Sequence, residues 1–319
     1  IITVGSATED VFIRTKNPDI LKKNSVHEIC YPIGTKIIVD EIHFSTGGGG
    51  TNSAVSFSRQ GLKTAYLGKM GNDRVSRDII GELKQEKVKF IGKCEEGNTG
   101  YSVILIGLEK DRTILNYKGM ADQLKASDFD IKKLRTRWLY FSSLLGPSLE
   151  TMKMLAKFAK KNSIKYAYNP STYCARMGSA RLKSILNGAD LLTMNFEEAS
   201  LLVGKAGINI MLKRLQEFGK IVVITDGRRG AYAYNGIFKY TVIPRKIRII
   251  ETTGAGDAFA SGVTAGLIKN KAIEDCLRMG QFNAEGVLGN IGAKNNLLTA
   301  KETERLLKTS QVKIKKEEI

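Results

Sequence analysis

Histidine is scarce: the chain has only His27 and His43, neither with a close histidine or cysteine companion, so a histidine-based metal site is not expected. Four dispersed cysteines, Cys30, Cys94, Cys174 and Cys276, form no Cys-x-x-Cys pair, which argues against a zinc site or a disulfide framework and leaves reduced, mostly buried thiols. There is no run of about 18 apolar residues, so no membrane-spanning helix is expected. The opening Ile1-Ile-Thr-Val-Gly-Ser6 lacks the basic-then-apolar profile of a secretion signal. A soluble cytoplasmic protein is the expectation. Two nucleotide fingerprints are also missing. No Gly-x-x-x-x-Gly-Lys-Ser/Thr occurs, and neither Gly48/Gly50 nor Gly254/Gly256 is completed as Gly-x-Gly-x-x-Gly, which disfavours P-loop NTPases and dinucleotide enzymes.

What is present is a chain of 319 residues, 42% hydrophobic, with a formal charge of +18. That length can build one large domain with a small appendage or two ordinary domains. The positive charge would attract nucleic acid, anionic metabolites or acidic membranes without choosing among them. Lys and Arg of the segment Met152–Lys161 fall opposite Met152, Leu155, Ala156 and Ala159, the pattern of a solvated helix face. The densest basic cluster, Lys313-Ile-Lys-Lys316, lies in the stretch 310–319, expected to be a frayed charged tail.

Strand-like and helix-like segments alternate, which predicts an α/β fold with a doubly wound, mainly parallel sheet flanked by helices. After the strand Ile1–Val4, Asp10 is expected to look over the carboxyl edge of that sheet, where open α/β sheets bind ligands. The alternating stretch Lys36–Phe44 reads as a strand of a small sheet, and Tyr101–Leu108 with Thr113–Tyr117 reads as a hairpin beside it. Strand insertions at about 10–45 and 98–120 would then form a small β-sheet lid on a single domain spanning 1–309. Gly47-Gly-Gly-Gly-Thr-Asn52 runs into a predicted helix Ser53–Gln60. Trp138–Ser143, Lys165–Asn169, Leu191–Asn195 and Lys220–Thr225 continue as strands, and Ala272–Leu288 and Thr299–Leu307 as helices. Asn195-Phe-Glu-Glu198 reads as a capping box. Gly227-Arg-Arg-Gly230 is reminiscent of an RNA-clamping Gly-x-x-Gly loop, but that loop joins two helices, and this one is expected to turn between strands.

The stretch Glu251-Thr-Thr-Gly-Ala-Gly-Asp257 delivers a carboxylate to the start of a predicted amphipathic helix, Ala258–Lys269. A helix start leaves backbone N–H groups unpaired and partly positive, so it favours an anion such as a phosphoryl group. Asp257 also reads as an ordinary N-cap.

Four stretches in order resemble the ribokinase-like (PfkB) carbohydrate kinases: Gly47–Asn52 with Leu67-Gly-Lys-Met-Gly-Asn-Asp73, then Asn195-x-x-Glu198, Thr225-x-Gly227 with Gly230, and Glu251–Asp257. The resemblance implies transfer of the ATP γ-phosphoryl group to a hydroxymethyl oxygen of a sugar or sugar derivative. Asp257 would be the base, and Gly254, Ala255 and Gly256 the anion hole. Asn195 and Glu198 would position Mg²⁺, Thr225, Gly227 and Gly230 would meet the nucleotide phosphates, and Asn283 would border the adenine. Asp10, Gly48, Gly49 and Asn52 would hold acceptor hydroxyls. Arg112 and Lys118 could meet an anionic acceptor such as a sugar acid or sugar phosphate. Glu251 stands where the family usually has Asp, beside a monovalent-cation site, which leaves K⁺ open. Gly49 and Thr8 stand where ribokinases proper carry Lys and Asn, so ribose is not assured. A nucleoside kinase of the same family and, from another class, a basic nucleic-acid-binding protein on a kinase scaffold are the alternatives. A homodimer through the lid is the expected assembly, with no membrane partner.

Overall fold

A computed structural model describes residues 1–319 except 16–18, 24–25, 107–111 and 311. Ten strands make the main sheet, in the order Lys313–Glu318, Phe238–Ile243, Ala231–Tyr234, Gly219–Thr225, Ala189–Asn195, Lys165–Tyr168, Trp138–Phe141, Ile2–Val4, Thr64–Leu67 and Val88–Phe90. From Gly219–Thr225 onward the strands run parallel, and the first three pair antiparallel. The parallel strands are apolar runs because both faces are covered. Within Trp138–Phe141, Leu139 and Phe141 join the core on one face, and Trp138 and Tyr140 join the core on the other.

On the first face the core packs against helices Gly146–Lys161, Gly178–Leu186, Phe196–Val203 and Ile208–Gln216. The opposite face carries Gly49–Arg59, Ala255–Ile268 and Ile273–Leu288. Phe57 and Tyr140 meet edge to face there, with centroids 5.3 Å apart. Burying a side chain of that size contributes about 1.5–3 kcal/mol. Ala255–Ile268 and Ile273–Leu288 press together where a Cβ added to Gly262 would stand 2.8 Å from Gly280 Cα, and one added to Gly266 would stand 2.8 Å from Cys276 Cα.

A smaller sheet of four strands has the order Arg112–Tyr117, Gly100–Ile106, Thr8–Arg14 and Glu41–Gly47. Its register pairs Asp10 with Ser102 and Ser45, and Ser102 with Asn116, so these side chains share one face. The expected strand Lys36–Phe44 is displaced: pairing runs from Thr8↔Gly47 to Arg14↔Glu41, and among the described residues no ladder continues beyond that. Ile37, Ile38 and Val39 are consequently exposed. Residues 107–111 of the expected hairpin lie outside the described residues.

The frayed-tail expectation is overturned. Lys313–Glu318 is an antiparallel strand on Phe238–Ile243, because that edge supplies a row of backbone groups for the tail to satisfy. Lys316 Nζ sits 4.1 Å from the Phe238 ring centroid, and Lys239 Nζ lies 2.8 Å from Glu317 Oε1. Among the described residues no helix is long and apolar enough to cross a membrane.

Candidate active site

Two helix starts converge on one cavity. The helix Ala255–Ile268 begins three residues earlier than expected, with Gly254 as its N-cap at φ 81°. Any side chain at Gly254 would be strained and would stand 2.5 Å from Ala293 Cβ. Asp257 is therefore in the first turn and is not the N-cap. Its carboxylate caps nothing; Oδ2 accepts from Asn52 Nδ2 at 2.9 Å. The second helix, Gly49–Arg59, has Gly48 as its N-cap at φ 96° and likewise no side-chain cap. A Cβ at Gly48 would meet the Ser6 carbonyl oxygen at 2.5 Å. Neither start has a side-chain cap; Gly50 N donates instead to the Ser6 carbonyl at 3.0 Å and Ala255 N to the Thr252 carbonyl at 3.3 Å, and a helix start of this kind favours an anion beside it.

The cavity, of about 430 Å³, is lined by Asp10, Gly48, Gly49, Asn52, Arg112, Asn195, Glu198, Thr225, Gly254, Gly256 and Asp257 among the expected residues. Asn52 is 5% exposed, and its Oδ1 has no hydrogen-bond partner among the described residues. A buried acceptor left unpaired is costly unless a ligand group meets it. Burial raises the pKa of Asp257, the Asn52 hydrogen bond lowers it, and the charge of Asp10 raises it. Asp10 is also raised by burial, against a 2.8 Å hydrogen bond from Thr8 Oγ1.

Asn195 and Glu198 form the expected capping box: Glu198 N donates to Asn195 Oδ1 at 2.8 Å, and Asn195 N donates to Glu198 Oε2 at 2.9 Å. Glu198 also reaches the cavity, where burial pushes its carboxyl up to about 7. Its Oε1 is held only loosely, by Thr172 Oγ1 at 3.4 Å. Among the described residues no group of three or more His, Cys, Asp or Glu could hold a metal ion.

Arg112 crosses from the small sheet to the turn before Asp257. Its Nε lies 3.7 Å from Glu251 Oε1, and Nη1 donates to Thr252 Oγ1. Glu251 is 6% exposed, and its Oε1 also accepts from Thr253 N at 2.7 Å.

Four expected residues do not line the cavity: Ala255, Asn283, Gly227 and Gly230. Asn283 is 1% exposed: Nδ2 donates to Ser56 Oγ and the Ala258 carbonyl, and Oδ1 accepts from Leu298 N. It braces helix against helix, so the expectation that it borders a ligand is corrected. Gly227 and Gly230 shape the turn between antiparallel strands and do not line the cavity. In that turn Arg229 is paired with Asp226, Nε to Oδ2 at 2.6 Å, which leaves it poorly placed to clamp a nucleic-acid backbone.

Sequence reasoning missed Ser102, Asn116, Asn169 and Tyr173, all on the cavity wall. Strand alternation through Arg112, Ile114, Asn116 and Lys118 carried a signal for Asn116, once the face was known. It also missed Lys294, 3% exposed, whose Nζ contacts Thr46 Oγ1 at 2.6 Å and Glu82 Oε2 at 2.5 Å. Burial lowers its pKa.

Comparison with known proteins shows the family and the fold. The chain is 27% identical to a ribokinase of Haemophilus influenzae, over 88% of this chain and 94% of the relative. It is 28% identical to an uncharacterized sugar kinase of Archaeoglobus fulgidus, over 76% of this chain and 98% of the relative. Its fold superposes on the crystal structure of adenosine kinase from Sinorhizobium meliloti with a TM-score of 0.81 and 19% identity, covering 96% of this chain and 98% of the other. The family model of the pfkB family carbohydrate kinases matches residues 23–300. With that match spanning most of the chain, and two helix starts and a carboxylate gathered on one cavity, the protein belongs to the pfkB family of carbohydrate kinases, phosphotransferases that use an alcohol as acceptor.

Proposed function

We propose that this enzyme transfers the γ-phosphoryl group of ATP to a hydroxymethyl oxygen of a sugar or sugar derivative, with Asp257 as the base. The observation that carries this reading is the Asp257 carboxylate at the uncapped start of Ala255–Ile268. A carboxylate whose pKa is raised by burial is a better proton acceptor than a solvated one. Asn52 holds one carboxylate oxygen by its 2.9 Å bond and leaves the other to face the acceptor hydroxyl. The amides of Gly254, Ala255 and Gly256 would stabilise charge growing on the transferred group, with Ala255 exchanging its 3.3 Å bond to the Thr252 carbonyl for the transferred group. Asp10 and the free Oδ1 of Asn52 suit paired sugar hydroxyls. Thr225, at the end of its strand, lines the cavity and would meet the nucleotide phosphates.

Mg²⁺ prefers one or two carboxylates, several waters and substrate phosphates over an all-protein cage. Glu198, with a loosely held oxygen on the cavity wall, fits that preference, with Asn195 beside it. When bound, the ion would neutralise charge on the nucleotide phosphates. Glu251 already serves Thr253 and Arg112, so potassium activation is a question for the same assay.

The small sheet acts as a lid, its inner face contributing Asp10, Ser102, Arg112 and Asn116 to the cavity. Its outer face leaves Phe44, Leu115 and Tyr117 more than half exposed, which supports a homodimer through the lid. Leu115→Lys should halve the mass measured by light scattering; an unchanged mass removes that assembly. Use of ATP suits the cytoplasm.

The test is ADP release from Mg·ATP against pentoses, hexoses, sugar acids, sugar phosphates and nucleosides, with and without potassium. One strong acceptor whose turnover vanishes in Asp257→Asn, with ADP binding intact, is expected. Turnover retained in that variant would sink the assignment. A nucleoside as best acceptor would instead favour the nucleoside kinase reading.

A further inference from the structure

Two cations stand on the inner row of the lid, and the structure gives them different tasks. Arg112 reaches Glu251 and Thr252, so its charge is committed to the turn before Asp257. Lys118 follows the same strand in phase with Arg112, Ile114 and Asn116, and all four line the cavity. Among the described residues Lys118 forms no ion pair within 4.0 Å. Asp122 exerts the largest of the charge effects on it, but that carboxylate accepts from the Leu145 amide at 2.9 Å. Lys118 Nζ rests instead 5.0 Å from the ring centroid of Tyr173, another cavity residue.

We infer that Lys118, backed by Tyr173, receives a carboxylate on the phosphoryl acceptor, and that the acceptor class is a sugar acid. This rests on the phosphotransferase reading above. A half-buried ammonium without an ionic partner is unfavourable by itself and strongly favourable once an anion meets it. Burial lowers the Lys118 pKa, and an adjoining carboxylate would offset that loss. The aromatic ring fixes the ammonium laterally and leaves its remaining N–H donors for the ligand.

The choice of carboxylate over phosphate follows from charge. Asp10, Asp257 and Glu198 already line the same cavity. A phosphate dianion among three carboxylates would need two uncommitted cations, whereas a carboxylate needs one. Lys118 is the one cation on the cavity wall, among the described residues, that is free of an ion pair. Asn116 adds an unpartnered buried Oδ1 next to it on the row, an acceptor for a sugar hydroxyl near the carboxylate end. An aldonic or keto-sugar acid has the matching layout, with a hydroxymethyl at one end for Asp257 and a carboxylate at the other for Lys118.

The experiment compares aldonates and keto-sugar acids with their neutral parent sugars and with sugar phosphates, in wild type, Lys118→Met and Lys118→Arg. Turnover is followed by ADP release, and binding by calorimetry in the presence of ADP. Wild type is expected to prefer a sugar acid. In Lys118→Met the ratio of kcat/KM for acid over neutral sugar should fall about 10- to 100-fold, the worth of a charged hydrogen bond, with the loss in KM and not in kcat. Lys118→Arg should restore most of it. A wild-type preference for neutral sugars or for sugar phosphates overturns the inference and leaves the kinase reading standing. So does a Lys118→Met variant that loses acid and neutral sugar alike. Sugar acid bound in a Lys118-dependent way but never phosphorylated would uphold the carboxylate site and overturn the kinase reading.

Discussion

The ten-stranded sheet and the four-stranded sheet use their faces differently. Both faces of the large sheet are packed under helices, and its parallel strands are apolar on both sides. The small sheet has one polar face over the cavity and one apolar face left largely open at Phe44 and Leu115. Asp257 belongs to a helix start docked on the first; Asp10, Asn116 and Lys118 belong to the second. On the function proposed above, the difference would separate the chemistry, which needs a fixed carboxylate, from acceptor choice, which needs a face whose side chains can change without disturbing a core.

Removing the proposed base on the large-sheet side should have the greatest effect. Asp257→Asn is expected to lower kcat by about 10²–10⁴-fold, the usual worth of a positioned base, while thermal stability stays near wild type. Severing the contact between the two sheets comes next. Arg112→Met should reduce kcat/KM by about 10-fold or more, given the worth of charge-assisted bonds; an unaltered rate would show that the Glu251 contact is idle and the sheets act independently. Asn283→Ala tests whether a polar residue behind the site braces or binds. It should cost about 1–3 kcal/mol in denaturant unfolding through unpaired buried groups, with little change in KM for ATP. A raised KM without loss of stability would return Asn283 to the ligand.

The smallest effect expected is on pH. The folded-state pKa of Glu198 is about 7, above the unfolded value, so the native state holds its proton more tightly than the unfolded chain does. Stability from this group is fully present below the unfolded pKa and is lost as pH rises toward 7. Glu198→Gln cannot ionise, so its melting advantage over wild type, measured without metal or nucleotide, should widen from pH 5 to pH 8 by on the order of 1 kcal/mol. A difference that does not vary with pH would mean that the carboxyl is not held in apolar surroundings.

The large sheet was readable because its signal is local: apolar runs such as Trp138–Phe141 stand between periodic helical segments, and glycines mark the turns. The carboxylate at Asp257 and the capping box at Asn195 were readable for the same reason. What escaped depends on partners far along the chain. Lys313–Glu318 has the composition of a solvated tail and becomes a strand only because Phe238–Ile243 offers an open edge. The start of Ala255–Ile268 turned on the left-handed backbone of Gly254, which moved Asp257 from cap to first turn. Asn283 has the same donors and acceptors whether it faces a ligand or, as found, Ser56, Ala258 and Leu298. Lys294 was invisible because nothing local ties it to Thr46 and Glu82.

The close crossing of Ala255–Ile268 with Ile273–Leu288 bears on how this protein can diverge. No methyl group fits at Gly262 or Gly266 without pushing Ala255–Ile268 and Ile273–Leu288 apart, and a shift of Ala255–Ile268 would re-aim Asp257 in its first turn. Substitutions at these two glycines, though remote from any reacting atom, should therefore be nearly as intolerable as those in the site. Descendants of this sequence have far more freedom on the lid row, so a new acceptor can be acquired there while the reaction itself is inherited unchanged.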